Sequence, residues 1–170
     1  MSVETLLFWT FAVATIASSG LVIWAKNPMA SAMSLVGTFF FLAGIYVLLW
    51  AHTIAVLQVL VYAGAIMVLF LFVIMLLSLP DVGRTSRFSL PGLLGAVATG
   101  GLLVTLSFAL RQVPAGPSAW TQDASKVAAF GTLGQLGEAL YTGWLLPFEA
   151  VSLLLLVAIV GAVVVAKSRI

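Results

Sequence analysis

Hydrophobic residues are gathered into five long runs that short polar breaks separate. The runs cover about residues 3–25, 29–51, 54–78, 90–110 and 144–166. About 20 apolar residues in helical form cross a hydrocarbon core of about 30 Å, and in lipid a backbone must satisfy its polar groups within its own segment. The pattern therefore predicts an all-α integral membrane bundle of five transmembrane helices, forming a single domain over residues 1–170.

The third run differs from the others because its two halves are unlike each other. It holds no charged residue and no proline, and its second half is bulky and apolar on every side. Its first half carries a stripe of small and polar residues at helical spacing, namely Ala55, Gln58, Tyr62 and Ala65. Such a stripe favours contact with protein rather than lipid. Gly64, which lies between two alanines, would permit a local departure from α-helical winding.

The positions of lysine and arginine predict the orientation of the chain in the membrane. With five spans, one side of the membrane receives Lys26, Arg84, Arg87, Lys167 and Arg169, and the other receives Arg111 and Lys126. Cytoplasmic loops carry the excess of positive charge, so we expect the N-terminus outside and the C-terminus in the cytoplasm. The long loop, residues 111–143, is then outside. Its leucines at helical spacing, Leu133, Leu136 and Leu140, predict a short amphipathic helix at the interface.

The composition of the chain excludes several kinds of cofactor and binding site. The chain is 63% hydrophobic and 7% charged, against about 25% charged residues in a soluble domain. It has no cysteine and one histidine. A disulfide framework, a thiolate-ligated iron–sulfur cluster, a cysteine zinc site and a haem held by two histidines of this chain are all excluded. The scattered basic residues make no nucleic-acid footprint.

Two polar side chains inside the runs are candidates for chemistry. Glu149 is the one acidic residue well inside a run, and a carboxylate in a membrane is a functional candidate by default. Alternatively, Pro147 is the first helical position, and Glu149 complements the helix dipole from the first turn. Tyr62 is either one station in a hydrated polar path or the donor of an ordinary hydrogen bond between helices. Small residues on nearly every run favour partner membrane subunits.

Two stretches of the sequence resemble a known family. Residues 59–77, VLVYAGAIMVLFLFVIMLL, are similar to the third transmembrane helix of subunit J of bacterial NADH-quinone oxidoreductase, or respiratory complex I. This family includes the mitochondrial counterpart, NADH dehydrogenase subunit 6. Residues 140–167, LYTGWLLPFEAVSLLLLVAIVGAVVVAK, resemble the last helix of the family. The resemblance covers most of the chain, in order, and is weakest over residues 111–131.

The resemblance implies a role without a catalytic site. Such a subunit lies in the bacterial inner membrane beside subunits A, H and K and the antiporter-like subunits, and FMN, iron–sulfur clusters and quinone belong to partner subunits rather than to this chain. Its third helix carries a π-bulge that is discussed as a gate on the proton path. The implied path or gate residues are Gln58, Val61, Tyr62, Ala63, Gly64 and Ala65, with Glu149 as a secondary candidate. The alternative is an accessory subunit of a multisubunit cation/proton antiporter without redox coupling.

Overall fold

The computed structural model describes residues 2–77, 90–112 and 131–167 of the chain. Over these residues the regular structure is entirely helical. Five helices are long and apolar enough to cross a membrane, namely Val3–Trp24, Pro28–Leu48, His52–Leu76, Gly92–Gln112 and Leu145–Ala166. The prediction of an all-α chain with five membrane spans is therefore confirmed.

The elements follow the hydrophobic runs closely. They are α1 (Val3–Trp24), α2 (Pro28–Leu48), α3 (His52–Leu57), a π-helical segment (Gln58–Ile66), α4 (Met67–Leu76), α5 (Leu90–Gln112), α6 (Leu133–Thr142) and α7 (Leu145–Ala166). We call His52–Leu76 the third span and its Gln58–Ile66 section the π segment. Asn27 caps α2 by accepting a hydrogen bond from the Met29 N–H, and Pro28 occupies the first helical position, where its missing N–H has no intrahelical partner to lose.

Hydroxyl groups and a glycine join α1 to α2. The Ser18 hydroxyl lies 2.7 Å from that of Thr38 and donates to the Ser34 carbonyl at 3.0 Å. Further along the pair, a Cβ at Gly44 would come within 2.9 Å of the Phe11 ring. Interhelical hydrogen bonds and close backbone approach are the forces that associate helices in lipid, so α1 and α2 form a packed hairpin.

The third span packs on α2, and the other two spans do not share this core. The buried apolar residues are small or flexible, namely Ala32, Ala43, Ala55, Ala63 and Met67. In contrast, the residues from 92 to 112 in α5, and those of α7, are exposed along their whole length. The packed unit of this chain therefore consists of α1, α2 and the third span, and α5 and α7 keep nearly all their surface for lipid or other proteins.

The turn between the second and third spans lies slightly earlier than the sequence predicts. The runs 29–51 and 54–78 predict that the second span extends to Ala51 and the third begins at Ile54, but α2 ends at Leu48 and α3 already begins at His52. The N–H groups of Trp50 and Ala51 donate to the carbonyls of Val47 and Tyr46, which is the Schellman pattern of a helix end. A three-residue connection is therefore enough to reverse the chain.

The amphipathic helix predicted in the long loop is present as α6. The Thr132 side chain accepts a hydrogen bond from the Gln135 N–H at its start, as an N-cap threonine does. Leu136 and Leu140 are partly buried, whereas Leu133 is exposed. The ring of Tyr141 meets that of Phe148 edge-on at 5.3 Å, so α6 packs against the first turns of α7.

Several residues on which the sequence-based predictions rest lie outside the described part of the chain. These are Ser78, the predicted end of the third run, and Arg84, Arg87, Lys126 and Arg169, which contribute to the charge asymmetry. The orientation of the termini stays a prediction.

Candidate functional site

The third span changes its winding in the middle. Nine residues, Gln58–Ile66, form a π-helix between two α-helical parts. At the end of this segment the Met67 N–H donates to the carbonyl of Tyr62, five residues earlier, which is the hydrogen bond that defines π winding. This π-helical piece lies where the sequence predicts a departure from α-helical geometry, around Tyr62 and Gly64. The role of residues 61–65 as a gate stays a prediction.

The missing side chain of Gly64 makes room for this winding. A Cβ built on Gly64 would lie 3.3 Å from the carbonyl oxygen of Val59, five residues earlier. That separation is tighter than ordinary van der Waals contact, so a side chain at this position would press on the carbonyl oxygen. The flanking Ala63 and Ala65 carry only methyl groups. This local sequence therefore tolerates the π-helical turn better than a run of bulky residues would.

The π segment redistributes the faces of the helix, and the predicted stripe is wrong in part. Gln58 and Ala63, five residues apart, are both buried, at 7% and 5% exposure. Tyr62, predicted to share the stripe of Gln58, is 50% exposed, and Ala65 is exposed as well. A wider turn takes an extra residue to return to the same face. The buried stripe therefore runs Ala55, Gln58, Ala63 and Met67.

Tyr62 lies at the edge of the packed unit and is half exposed. Its ring contacts Phe39 of α2 edge-on, with centroids 5.8 Å apart and planes at 65°. The hydrophobic pattern of the sequence did not predict this contact with Phe39. Within the part of the chain that the structure describes, the Tyr62 hydroxyl makes no hydrogen bond. A hydroxyl in lipid needs a partner, so its partner has to come from outside these residues.

The side-chain amide of Gln58, on the buried face, also needs a hydrogen-bond partner. Its side chain is 7% exposed, and the described residues give its amide no hydrogen bond. Every side-chain nitrogen or oxygen that is fully enclosed among the described residues has a partner, so the amide of Gln58 retains access to the surface. The π segment therefore presents two polar groups, an amide and a phenol, that this part of the chain leaves open.

Glu149 lies elsewhere and not in the first helical turn. We expected Pro147 to be the first helical position, but α7 begins at Leu145, so Pro147 is its third residue and Glu149 its fifth. Proline is tolerated there because the first four N–H groups of a helix have no intrahelical partner. The helix-dipole interpretation thereby loses its geometric basis. Glu149 is exposed, and its backbone carbonyl accepts a hydrogen bond from the Ser152 hydroxyl at 2.6 Å.

The structure thus brings the predicted residues of the third span together and keeps Glu149 apart. Gln58, Val61, Tyr62, Ala63, Gly64 and Ala65 all lie in the π segment. Glu149 belongs to α7, which packs on α6. Among the described residues, no three His, Asp or Glu side chains come together as metal ligands.

Comparison with known proteins gives consistent matches over nearly the whole chain. Residues 18–165 match the family model described as NADH-ubiquinone/plastoquinone oxidoreductase chain 6. NADH-quinone oxidoreductase subunit J of Rhodobacter capsulatus is 33% identical over 172 aligned residues, which cover 96% of this chain and 81% of that protein. The chloroplastic NAD(P)H-quinone oxidoreductase subunit 6 of Nephroselmis olivacea is 42% identical over 146 residues, with coverages of 86% and 82%. The F(420)H(2) dehydrogenase subunit J of Methanosarcina mazei is 32% identical over 174 residues, with coverages of 99% and 93%.

Proposed function

Because the chain belongs to the family of NADH-ubiquinone/plastoquinone oxidoreductase chain 6, we propose that this complex I membrane subunit helps couple quinone reduction to proton translocation through a switchable third span. The observation that carries the proposal is the π segment in the middle of an otherwise α-helical, charge-free span. π-helical turns are rare and cluster at functional sites. The subunit contributes no active site of its own under this proposal.

The physical basis of the switch is the one-residue difference between two windings of the same segment. Converting a π-helical turn to α-helix changes by one residue the register between the two flanking parts. In an α-helix, one residue corresponds to about 100° of rotation and 1.5 Å of rise. Such a change would exchange which side chains of the π segment face α2 and which face outward. A local change of winding can then act as a two-state element.

The open polar groups support a path rather than a purely structural role. The amide of Gln58 and the hydroxyl of Tyr62 lack partners among the described residues, and in a membrane each needs one. Water or polar groups of a neighbouring subunit would supply these partners. Rotation of the span would make or break those contacts, which is how a helix without acidic or basic side chains in its π segment can control proton transfer between other subunits.

The proposal places this chain among specific neighbours. The extensive exposed surfaces of α5 and α7 suit contact with subunits A, H and K and the antiporter-like subunits. FMN, iron–sulfur clusters and quinone would be held by partner subunits. We place the multi-pass chain in the bacterial inner membrane with its N-terminus outside and its C-terminus cytoplasmic, in keeping with the charge asymmetry. Glu149 remains a secondary site for proton exchange.

The partner assignment is tested by copurification in mild detergent. We expect flavin and iron–sulfur subunits to accompany this chain in stoichiometric amounts. Recovery with cation/proton antiporter subunits alone, without flavin or iron, would instead establish the alternative of an accessory antiporter subunit.

The switch is tested by determining the structure of the assembled complex with oxidised quinone, with reduced quinone and during turnover. We expect residues 58–66 to be π-helical in one state and α-helical in another. The same winding in every state, or lipid against the Tyr62 hydroxyl throughout, would refute the switch.

A further inference from the structure

The beginning of the third span is joined to a residue far along the chain. The carbonyl oxygen of Gly131 accepts two hydrogen bonds from Thr53, one from its N–H at 3.0 Å and one from its hydroxyl at 2.7 Å. The two residues are 78 positions apart. Gly131 lies directly before the N-cap of α6, so the contact links the amphipathic helix to the start of the span that carries the π segment.

This contact caps the N-terminus of α3. The first N–H groups of a helix lack intrahelical partners, and an N-cap side chain commonly satisfies one of them. The N-cap of α3 is Ala51, whose side chain makes no capping hydrogen bond. The Gly131 carbonyl supplies the missing acceptor from another part of the chain.

The backbone around the contact leaves no space for a side chain. Gly131 has φ of +73°, and a Cβ there would overlap the carbonyl oxygen of Trp50 and come within 2.9 Å of the Ala51 Cα. Trp50 itself has φ of +61°, which is uncommon for a residue other than glycine. Its ring meets that of His52 edge-on at 5.9 Å. The turn is thus held in an uncommon conformation with the Gly131 backbone pressed against it.

We propose that Thr53 and Gly131 form a clasp that fixes the N-terminal end of the third span and so act as positioning residues for the π segment. Thr53 is the second residue of α3, and only residues 54–57 separate it from the π segment. A change of winding is transmitted to the far part of a helix when the near end is held, and is dissipated when both ends are free to turn. The coupling part of this inference rests on the proposed function, whereas the clasp itself does not.

The clasp is tested with a cysteine reporter in the assembled complex. The chain has no cysteine, so A55C places a single thiol in this chain at a site that is 4% exposed and two residues beyond Thr53. In this background, we expect T53V to raise the rate of maleimide labelling about fivefold, as the loss of one hydrogen bond predicts. T53S keeps the hydroxyl and should restore the original rate.

Two matched controls separate the clasp from general disturbance. The Thr142 hydroxyl donates within its own helix, to the Glu138 carbonyl at 2.7 Å, so T142V should leave labelling unchanged. G131A should raise labelling more than T53V, whereas a Cβ at Gly134 meets nothing within 4 Å, so G134A should have no effect. Labelling in T53V and G131A that equals the controls would overturn the clasp. Should G131A fail to assemble, the nearly isosteric T53V still decides the result.

The positioning role is tested by the number of protons pumped per electron in proteoliposomes. We expect this ratio to fall in T53V, to recover in T53S and to stay unchanged in T142V and G134A. A normal ratio in T53V despite raised labelling, in a complex whose ratio falls when Gly64 is substituted, would overturn the positioning role. The labelling result does not depend on pumping, so failure of the proposed function is distinguishable from failure of the clasp.

Discussion

Replacing Gly64 with alanine tests the connection between winding and coupling at a single methyl group. In the π segment, the new Cβ would lie 3.3 Å from the Val59 carbonyl oxygen, so this winding would have to displace the carbonyl. In an α-helix, by contrast, alanine is more favourable than glycine by about 0.8–1.0 kcal/mol. Both effects act in the same direction. We therefore expect G64A to shift the equilibrium from π to α winding.

The helix propensity alone gives a lower bound on the size of the shift. About 1 kcal/mol corresponds to a change of roughly fivefold in the ratio of the two windings, and the contact with Val59 adds to this. G64V adds two further methyl groups to this Cβ and should enlarge the steric part of the effect. We expect fewer protons per electron in both variants, with quinone reduction continuing, because the redox cofactors are expected in other subunits.

The assay is a structure of the variant complex together with proton pumping in proteoliposomes at a measured rate of quinone reduction. G161A is a matched control, because a Cβ at Gly161 in α7 meets nothing within 4 Å. It should leave winding and pumping unchanged. Retention of the π segment and of full pumping in G64A, with normal assembly, would refute the reasoning.

Three further substitutions separate packing from function. Y62F removes a hydroxyl that has no hydrogen bond among the described residues, so we expect normal assembly but slower pumping, measured per assembled complex; normal pumping would exclude the phenol from the path. E149Q should lower pumping if Glu149 exchanges protons, and an unchanged pH profile of pumping would exclude that role. G44V should weaken the contact of α1 with α2, because a Cβ there comes within 2.9 Å of the Phe11 ring. Its readout is the amount of complex, and G20A, with nothing within 4 Å of its Cβ, should leave that amount unchanged.

The five spans and the position of the π segment were both predictable from the chain. Spans follow from apolar length, because a helix is the one way for a single segment to satisfy its backbone in lipid. The run Ala63, Gly64 and Ala65 in a charge-free span marked the place where winding could change, and resemblance to a known family supplied the kind of change. The amphipathic helix α6 was likewise visible in the spacing of its leucines.

The orientation of side chains around the π segment was not predictable from helical spacing. A period of 3.6 residues placed Tyr62 on the face of Gln58, but the wider turn buried Ala63 instead and left Tyr62 half exposed. Similarly, proline usually marks the first position of a helix, yet Pro147 is the third residue of α7 because several first-turn positions tolerate the missing N–H. Helical periodicity and proline preferences define which positions a residue can occupy, and tertiary packing decides which of these positions it takes.

Length, apolarity and small residues therefore determined that this chain spans the membrane five times and where its third span can deform, since these depend on the transfer of each segment into lipid and on local sterics. Tertiary structure alone decided which spans pack together, which polar groups stay open and that Gly131 caps Thr53 from 78 residues away. Contacts at such separation depend on how helices meet in space, and no periodicity within a segment encodes that.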